Sequence, residues 1–203
     1  MVVMEFEIYY DYRCPYVYRA SVLLENVREM GAHDLTVHWR YFSLTQVNSK
    51  DEGWTVWDAP PSEAVKGRLS FKAAEAARRQ HRFDGFHMAL LRARHRDRLD
   101  IEDVNVVERV AGESGLDLER FRADVADPKA LNALARDHQH GVTRHGVFGT
   151  PTFVFSTGAA AYVRLSEVPT SSDSVGIFDR LVSIAADEPR ILEIKRPTKP
   201  SAD

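Results

Sequence analysis

Residues 5–17 read Glu-Phe-Glu-Ile-Tyr-Tyr-Asp-Tyr-Arg-Cys-Pro-Tyr-Val. Phe6, Ile8 and Tyr10 fall at every second position, which puts them on one face of a strand. Just beyond, Tyr16, Ala20, Leu23, Val27 and Met30 recur at helical spacing, and Gly31 supplies the stop. Alternation returns with Leu35, Val37, Trp39 and Tyr41, so the unit is strand, helix, strand. The helix begins at or next to Cys14-Pro15, because proline suits a first helical turn, where its missing N–H costs no intrahelical bond. A cysteine therefore sits at a strand-to-helix junction.

Downstream, residues 44–60 lose periodicity, and Asp58-Ala-Pro-Pro61 reads as a loop. From about 62 to 144 the pattern is helical. Phe83, Phe86, Leu90 and Leu91 form one apolar stripe; Val104, Val107 and Val110 form another behind Asp103, a candidate N-cap. Asp117 is placed to cap a short helix carrying Leu118, Phe121 and Val125. Asp127-Pro128 opens a further helix with Leu131, Leu134, His138 and Val142. After Pro151, Thr152–Phe155 and Ala159–Leu165 read as two strands of a hairpin around Ser156-Thr157-Gly158. Asp173 is expected to cap a final helix bearing Val175, Phe178, Leu181, Val182 and Ala185. Residues 188–203, with Pro189, Pro197 and Pro200, read as a polar tail. The order is β-α-β, a helical block, then α-β-β-α.

A chain of 203 residues suits one elaborated domain or two small lobes. At this size folding buries about 70% of the unfolded chain's surface, so no covalent staple is required. The formal charge of −3 offers no electrostatic reason for a nucleic-acid partner. No apolar run approaches the roughly 20 residues of a membrane span, and Met1–Glu5 lacks the pattern of a secretory signal. The expectation is a cytoplasmic protein without membrane association. The single cysteine rules out an intramolecular disulfide and a multi-thiolate metal site.

A lone cysteine in a reducing compartment is commonly a small buried hydrophobe; the setting of Cys14 argues otherwise. At a helix N-terminus, unpaired backbone N–H groups and the macrodipole favour thiolate over thiol, and such settings bring cysteine pKa values to roughly 3.5–7.5. Following a strand, Cys14 also lies at that strand's C-terminal end, where α/β sheets bind ligands. Arg13 and Arg19 are expected as solvated surface groups. The second element is Gly146-Val-Phe-Gly149-Thr150-Pro151-Thr152-Phe153, where a proline opens a strand after two glycines and a helix.

These pieces carry a resemblance. Asp11-Tyr-Arg-Cys14-Pro15-Tyr-Val17 resembles the CPxC region of DsbA-type oxidoreductases of the thioredoxin superfamily. Phe86-His-Met-Ala89-Leu-Leu-Arg-Ala93, Leu99-Asp-Ile101 and the run through Gly115-Leu-Asp-Leu and Phe121 resemble the inserted helical lobe of the FrnE-like subgroup. Gly146 to Val154 resembles its cis-proline loop, in which the Thr150 backbone would lie beside the cysteine as an edge for an extended thiol or peptide ligand. The resemblance implies an α/β fold: a thioredoxin-like domain from residues 1–43 and 138–187, a helical insertion over 62–137, and a tail over 188–203. It implies thiol–disulfide chemistry with Cys14 as nucleophile and Pro15, Tyr16, Thr150 and Pro151 lining the substrate site.

The sequence departs from the family pattern in two places. Val17 occupies the resolving cysteine's position, and Tyr16 stands where some relatives carry histidine. What remains is monothiol exchange with a small external thiol or a protein disulfide, with no tightly bound cofactor. Hydroxychromene-carboxylate isomerases and kappa-class glutathione transferases resemble the same layout and use a bound thiol, which gives a second reading; a binding protein that has lost catalysis is a third. Under oxidation, Cys14 pairing with its counterpart would give a homodimer. The eight histidines show no ligand motif, since His138 and His140 lie on different helix faces and nothing joins His87 to His95, so no metal site is expected. The arginines between Arg78 and Arg98 read as a solvated face. Trp54 and Trp57 are candidates for an apolar lid over Cys14.

Overall fold

The structure, a computed structural model, describes residues 3–196. Four strands form one sheet: β1 (Val3–Tyr10), β2 (Asp34–Tyr41), β3 (Thr152–Phe155) and β4 (Ala160–Tyr162), in the order β2-β1-β3-β4. β1 runs parallel to β2 and antiparallel to β3, with Ile8 opposite both Trp39 and Phe153. The parallel pair requires a crossover, supplied by α1 (Pro15–Glu29). Phe6, Ile8 and Tyr10 join the main core with Leu23, Leu24 and Val27 of α1 and with Phe178 and Val182 of the last helix. Each such side chain contributes about 1.5–3 kcal/mol by leaving water. Tyr9 points to the opposite face and is equally buried, against Phe42, Val147 and Val154.

Between β2 and β3 lie α2 (Leu44–Val47), α3 (Arg68–Arg79), α4 (Phe83–His95), α5 (Val104–Glu113), α6 (Leu118–Ala126), a 3-10 turn (Pro128–Leu131) and α7 (Asn132–His145). Asp103 and Asp117 cap α5 and α6 as the sequence indicates. α8 (Ser171–Ala185) packs on α1. No helix among the described residues is long and apolar enough to cross a membrane.

Several boundaries differ from the sequence reading. Ser43 caps the short α2 inside the stretch read as irregular, whereas residues 62–67 are turns and irregular chain and α3 starts only at Arg68. β4 stops at Tyr162 rather than Leu165. Its partner β3 begins at Thr152, and the residue just before it, Pro151, accepts one bond from Val163 N–H (3.0 Å) but has no N–H to return, so the ladder stops. The cap of α8 is Thr170, whose Oγ1 accepts from Asp173 N–H; Asp173 lies one turn inside and its carboxylate accepts from the Thr170 hydroxyl. Val142 is exposed and Gly141 takes the buried place on α7. The part of the expected tail beyond residue 196 lies outside the described residues.

Candidate active site

Cys14 is the N-cap of α1, with extended backbone angles and no side-chain cap bond. The turn before it is fastened by Asp11, a fully buried carboxylate. Its main-chain carbonyl accepts from Cys14 N–H (3.1 Å), and its side chain accepts from Arg13 N–H and Leu44 N–H, both at 2.8 Å. Burial raises the Asp11 carboxyl pKa, and these two N–H donors hold it back toward the ionised form. Tyr12 is clamped from two sides, its hydroxyl 3.2 Å from His87 Nδ1 and its carbonyl 2.8 Å from His95 Nε2. The two histidines with no evident link in the sequence thus position the segment leading into the cysteine.

The Cys14 sulfur donates to the Thr150 carbonyl at 3.1 Å, and the residue is only 4% exposed. The Thr150–Pro151 peptide is cis. A bond between Thr152 Oγ1–H and Gly149 O (2.8 Å) braces this loop, and Thr150 Oγ1 is buried without a partner among the described residues. The sequence-selected Cys14, Thr150 and Pro151 therefore come together, although Cys14 and Thr150 stand 136 positions apart. Pro15 is exposed at the rim. Tyr16 is half-buried: Arg164 donates to its hydroxyl (2.6 Å) and lies 4.4 Å from its ring centroid, with Arg19 over the same ring at 5.2 Å.

Because Val163 bonds Pro151, the end of β4 and the residues after it lie along the rim, and together with Phe148 ahead of β3 they add side chains absent from the expected site. Exposed Phe148 and Tyr162 pair edge to face at 5.0 Å. Burial raises the Tyr162 phenol, Arg164 lowers it, and Cys14 lies close enough to add a smaller upward push. Nothing in the local pattern of residues 148–164 announces this role; it follows from the strand's early end. The two arginines expected in solvent are tied down, Arg13 to Thr45 Oγ1 (2.9 Å) and Arg19 to the Leu165 carbonyl (2.7 Å). Trp54 bonds Glu63 (3.0 Å) and lines an open groove with Arg13, Leu44 and Val65, while Trp57 packs on His138 at 5.5 Å. Trp57 thus turns toward α7, and the expected pair of lid tryptophans does not form.

A family model described as a DSBA-like thioredoxin domain matches residues 5–168. The chain belongs to the DSBA-like thioredoxin family. Among solved structures it is similar to a protein described as a "probable DsbA oxidoreductase" from Streptomyces coelicolor, with a TM-score of 0.66, 19% identity, and coverage of 97% of this chain and 93% of that one. It is similar to the cytosolic disulfide reductase DsbM from Pseudomonas aeruginosa, solved with GSH: TM-score 0.59, 17% identity, coverage 88% and 99%. A 2-hydroxychromene-2-carboxylate isomerase also superposes, with a TM-score of 0.64, 14% identity, and coverage of 91% and 98%. At these identities the likeness is one of fold. Against the DsbA-type motif, fully buried Val17 fills the second cysteine's place, and Cys14 is the single cysteine of the chain.

Proposed function

We propose that the protein performs thiol–disulfide exchange through Cys14 alone, with a small external thiol completing each cycle. The observation that carries this reading is the 3.1 Å contact between the Cys14 sulfur and the Thr150 carbonyl, at the mouth of α1 and beside cis-Pro151. In the resting site the sulfur spends its proton on that carbonyl. Deprotonation breaks this bond and leaves an anion at the positive end of a 15-residue helix. The thiolate attacks a disulfide R–S–S–R, forming Cys14–S–S–R and expelling RS⁻. A second thiolate R′S⁻ then attacks the R sulfur, releasing R–S–S–R′ and returning Cys14 to the thiolate. A mixed-disulfide sulfur has no proton to donate, so the Thr150 carbonyl is freed to accept an N–H from an extended substrate. In this reading residues 1–43 and 138–187 carry the chemistry and the helices of 62–137 wall the site. A reducing, cytoplasmic setting supplies the thiol.

A second reading, catalysis of an isomerisation or transfer on a bound thiol cofactor, is favoured by how little of Cys14 is exposed and by its hydrogen-bonded S–H. One experiment separates the readings. Reduced protein is exposed to oxidised glutathione and to 2-hydroxyethyl disulfide, and intact mass is recorded before and after adding reduced glutathione. Exchange requires one adduct on Cys14 that the thiol removes. An adduct formed only in denaturant would defeat it, and turnover of an electrophile with glutathione that survives Cys14→Ser would establish the cofactor reading. A cysteine inert under all conditions, in a protein still stabilised by ligand, would leave a binding protein.

A further inference from the structure

We propose that Glu7, His140 and His145 form a binding site for a divalent transition metal of the zinc class, separate from the Cys14 centre. One donor atom from each of the three side chains lies within 4.8 Å of the others. Tetrahedral zinc, with bonds of about 2.0–2.1 Å, sets its donors about 3.3 Å apart, so modest side-chain rotation closes the set. Two imidazoles with a carboxylate suit zinc, nickel or copper rather than the hard cations calcium and magnesium, which take oxygen donors. Three protein ligands leave a fourth position for water.

The surroundings fit a cation. His140 and His145 lie in the last turns of α7, a 14-residue helix whose C-terminal end carries the negative pole of its dipole. Arg40 donates to Glu7 Oε1 from Nε (3.0 Å) and Nη2 (2.6 Å), so Oε2, which accepts only a long bond from the Tyr9 hydroxyl, is the oxygen open to an ion. Metal-bound carboxylates are ordinarily held by such outer partners. The same guanidinium also faces Asp137 at 3.8 Å, so Glu7 does not hold its positive charge alone. Tyr9 Oη stands 2.9 Å from His140 Nδ1 and 3.5 Å from Glu7 Oε2, keeping both side chains in register. An ion here would tie β1, which leads to Cys14, to the end of α7, which leads through Gly146 to Thr150 and Pro151. The sequence reading missed the set because the histidines are five apart and their carboxylate comes from a strand at the other end of the chain.

The test is calorimetric titration of metal-free, reduced protein and of its Cys14→Ser variant with Zn²⁺, alongside Co²⁺ titration read by visible absorption. One equivalent should bind in both proteins, with the intense d–d bands of tetrahedral Co²⁺. His140→Ala and His145→Ala should each weaken binding at least tenfold, and Glu7→Gln should weaken it too. His33→Ala, at a remote histidine paired with Asp179, should change nothing. Melting temperatures in EDTA check that each variant folds, and the Co²⁺ spectrum reports coordination without any variant. Absence of one-equivalent binding, binding lost with Cys14, or affinity indifferent to His140 and His145 would overturn the site.

Discussion

Gly141→Ala is a substitution in which two physical effects oppose each other and the structure decides the sign. In the interior of α7, alanine for glycine should return about 1 kcal/mol of helix propensity. The Cβ it adds would lie 2.6 Å from Tyr9 Cε1 and 2.9 Å from Cδ1, where ordinary carbon contacts need about 3.5–4.0 Å. Helix and ring must therefore part by about 1 Å. Tyr9 cannot yield: it is fully buried, sits edge-on to Phe42 at 6.5 Å, and has its hydroxyl at His140. Overfilling such a site costs about 1–3 kcal/mol, so the expected net loss is about 1 kcal/mol. For a chain of this length that lowers Tm by about 2–4 °C. Thermal unfolding by circular dichroism in EDTA, with urea midpoints at constant slope, measures it. In a Tyr9→Leu background the same change should become neutral or stabilising. A Tm that rises in the wild-type background would refute the close approach of α7 to the sheet.

Three further outcomes are expected. His138 is buried against Phe42 and accepts from Ser43 N–H, and burial pulls its pKa from 6.5 down to about 4. The folded state thus prefers the neutral ring, and this contribution is complete above about pH 6.5 and drains away as pH falls toward 4. The difference in stability between pH 7 and 4 should shrink by about 3 kcal/mol in His138→Asn, which keeps an acceptor and loses the titration; equal differences in urea melts would contradict it. Tyr12→Phe removes the hydroxyl facing His87 Nδ1, whose other nitrogen already has no partner among the described residues, and should cost about 1–3 kcal/mol by chemical denaturation. Val17→Cys restores a second thiol one turn from Cys14, and oxidised protein should lose two hydrogens by intact mass and gain dithiol oxidase activity towards a reduced substrate. Persistence of two free thiols under oxidation would count against the site geometry.

The elements legible in the sequence are those set by local periodicity and by groups with one physical use. Alternation from Phe6 to Tyr10 gave the central strand, and Cys14-Pro15 marked the first turn of α1 because proline costs nothing there. Asp103 and Asp117 read correctly because a short carboxylate ahead of an apolar stripe finds free N–H groups. The resemblance, rather than spacing, paired residue 14 with residue 150. What escaped was contact set by tertiary approach. Thr170 and Asp173 both satisfy the rule for a cap, and only the path of the chain decides between them. The burial of Gly141, the early end of β4 and the Arg164–Tyr16 contact depend on what stands opposite, which no local window contains.

The replacement of the second cysteine by Val17 has a consequence beyond a missing sulfur. Val17, in the first turn of α1, is wholly buried in the main core, so the place of an internal resolving thiol is filled by hydrocarbon. A mixed disulfide on Cys14 then has no intramolecular exit, and its lifetime is set by the concentration of external thiol and by that thiol's access. Access is narrow: the sulfur is barely exposed, Thr150 and Pro151 bound it on one side, and Tyr16 is pinned at the rim by Arg164. Under the exchange reading the site should discriminate by size at its second step, releasing its partner to small thiols and holding it against bulky ones. Release rates of a preformed Cys14–glutathione adduct should therefore fall faster with thiol bulk than those of the same adduct on an unfolded peptide, and parallel trends would show that the rim exerts no control.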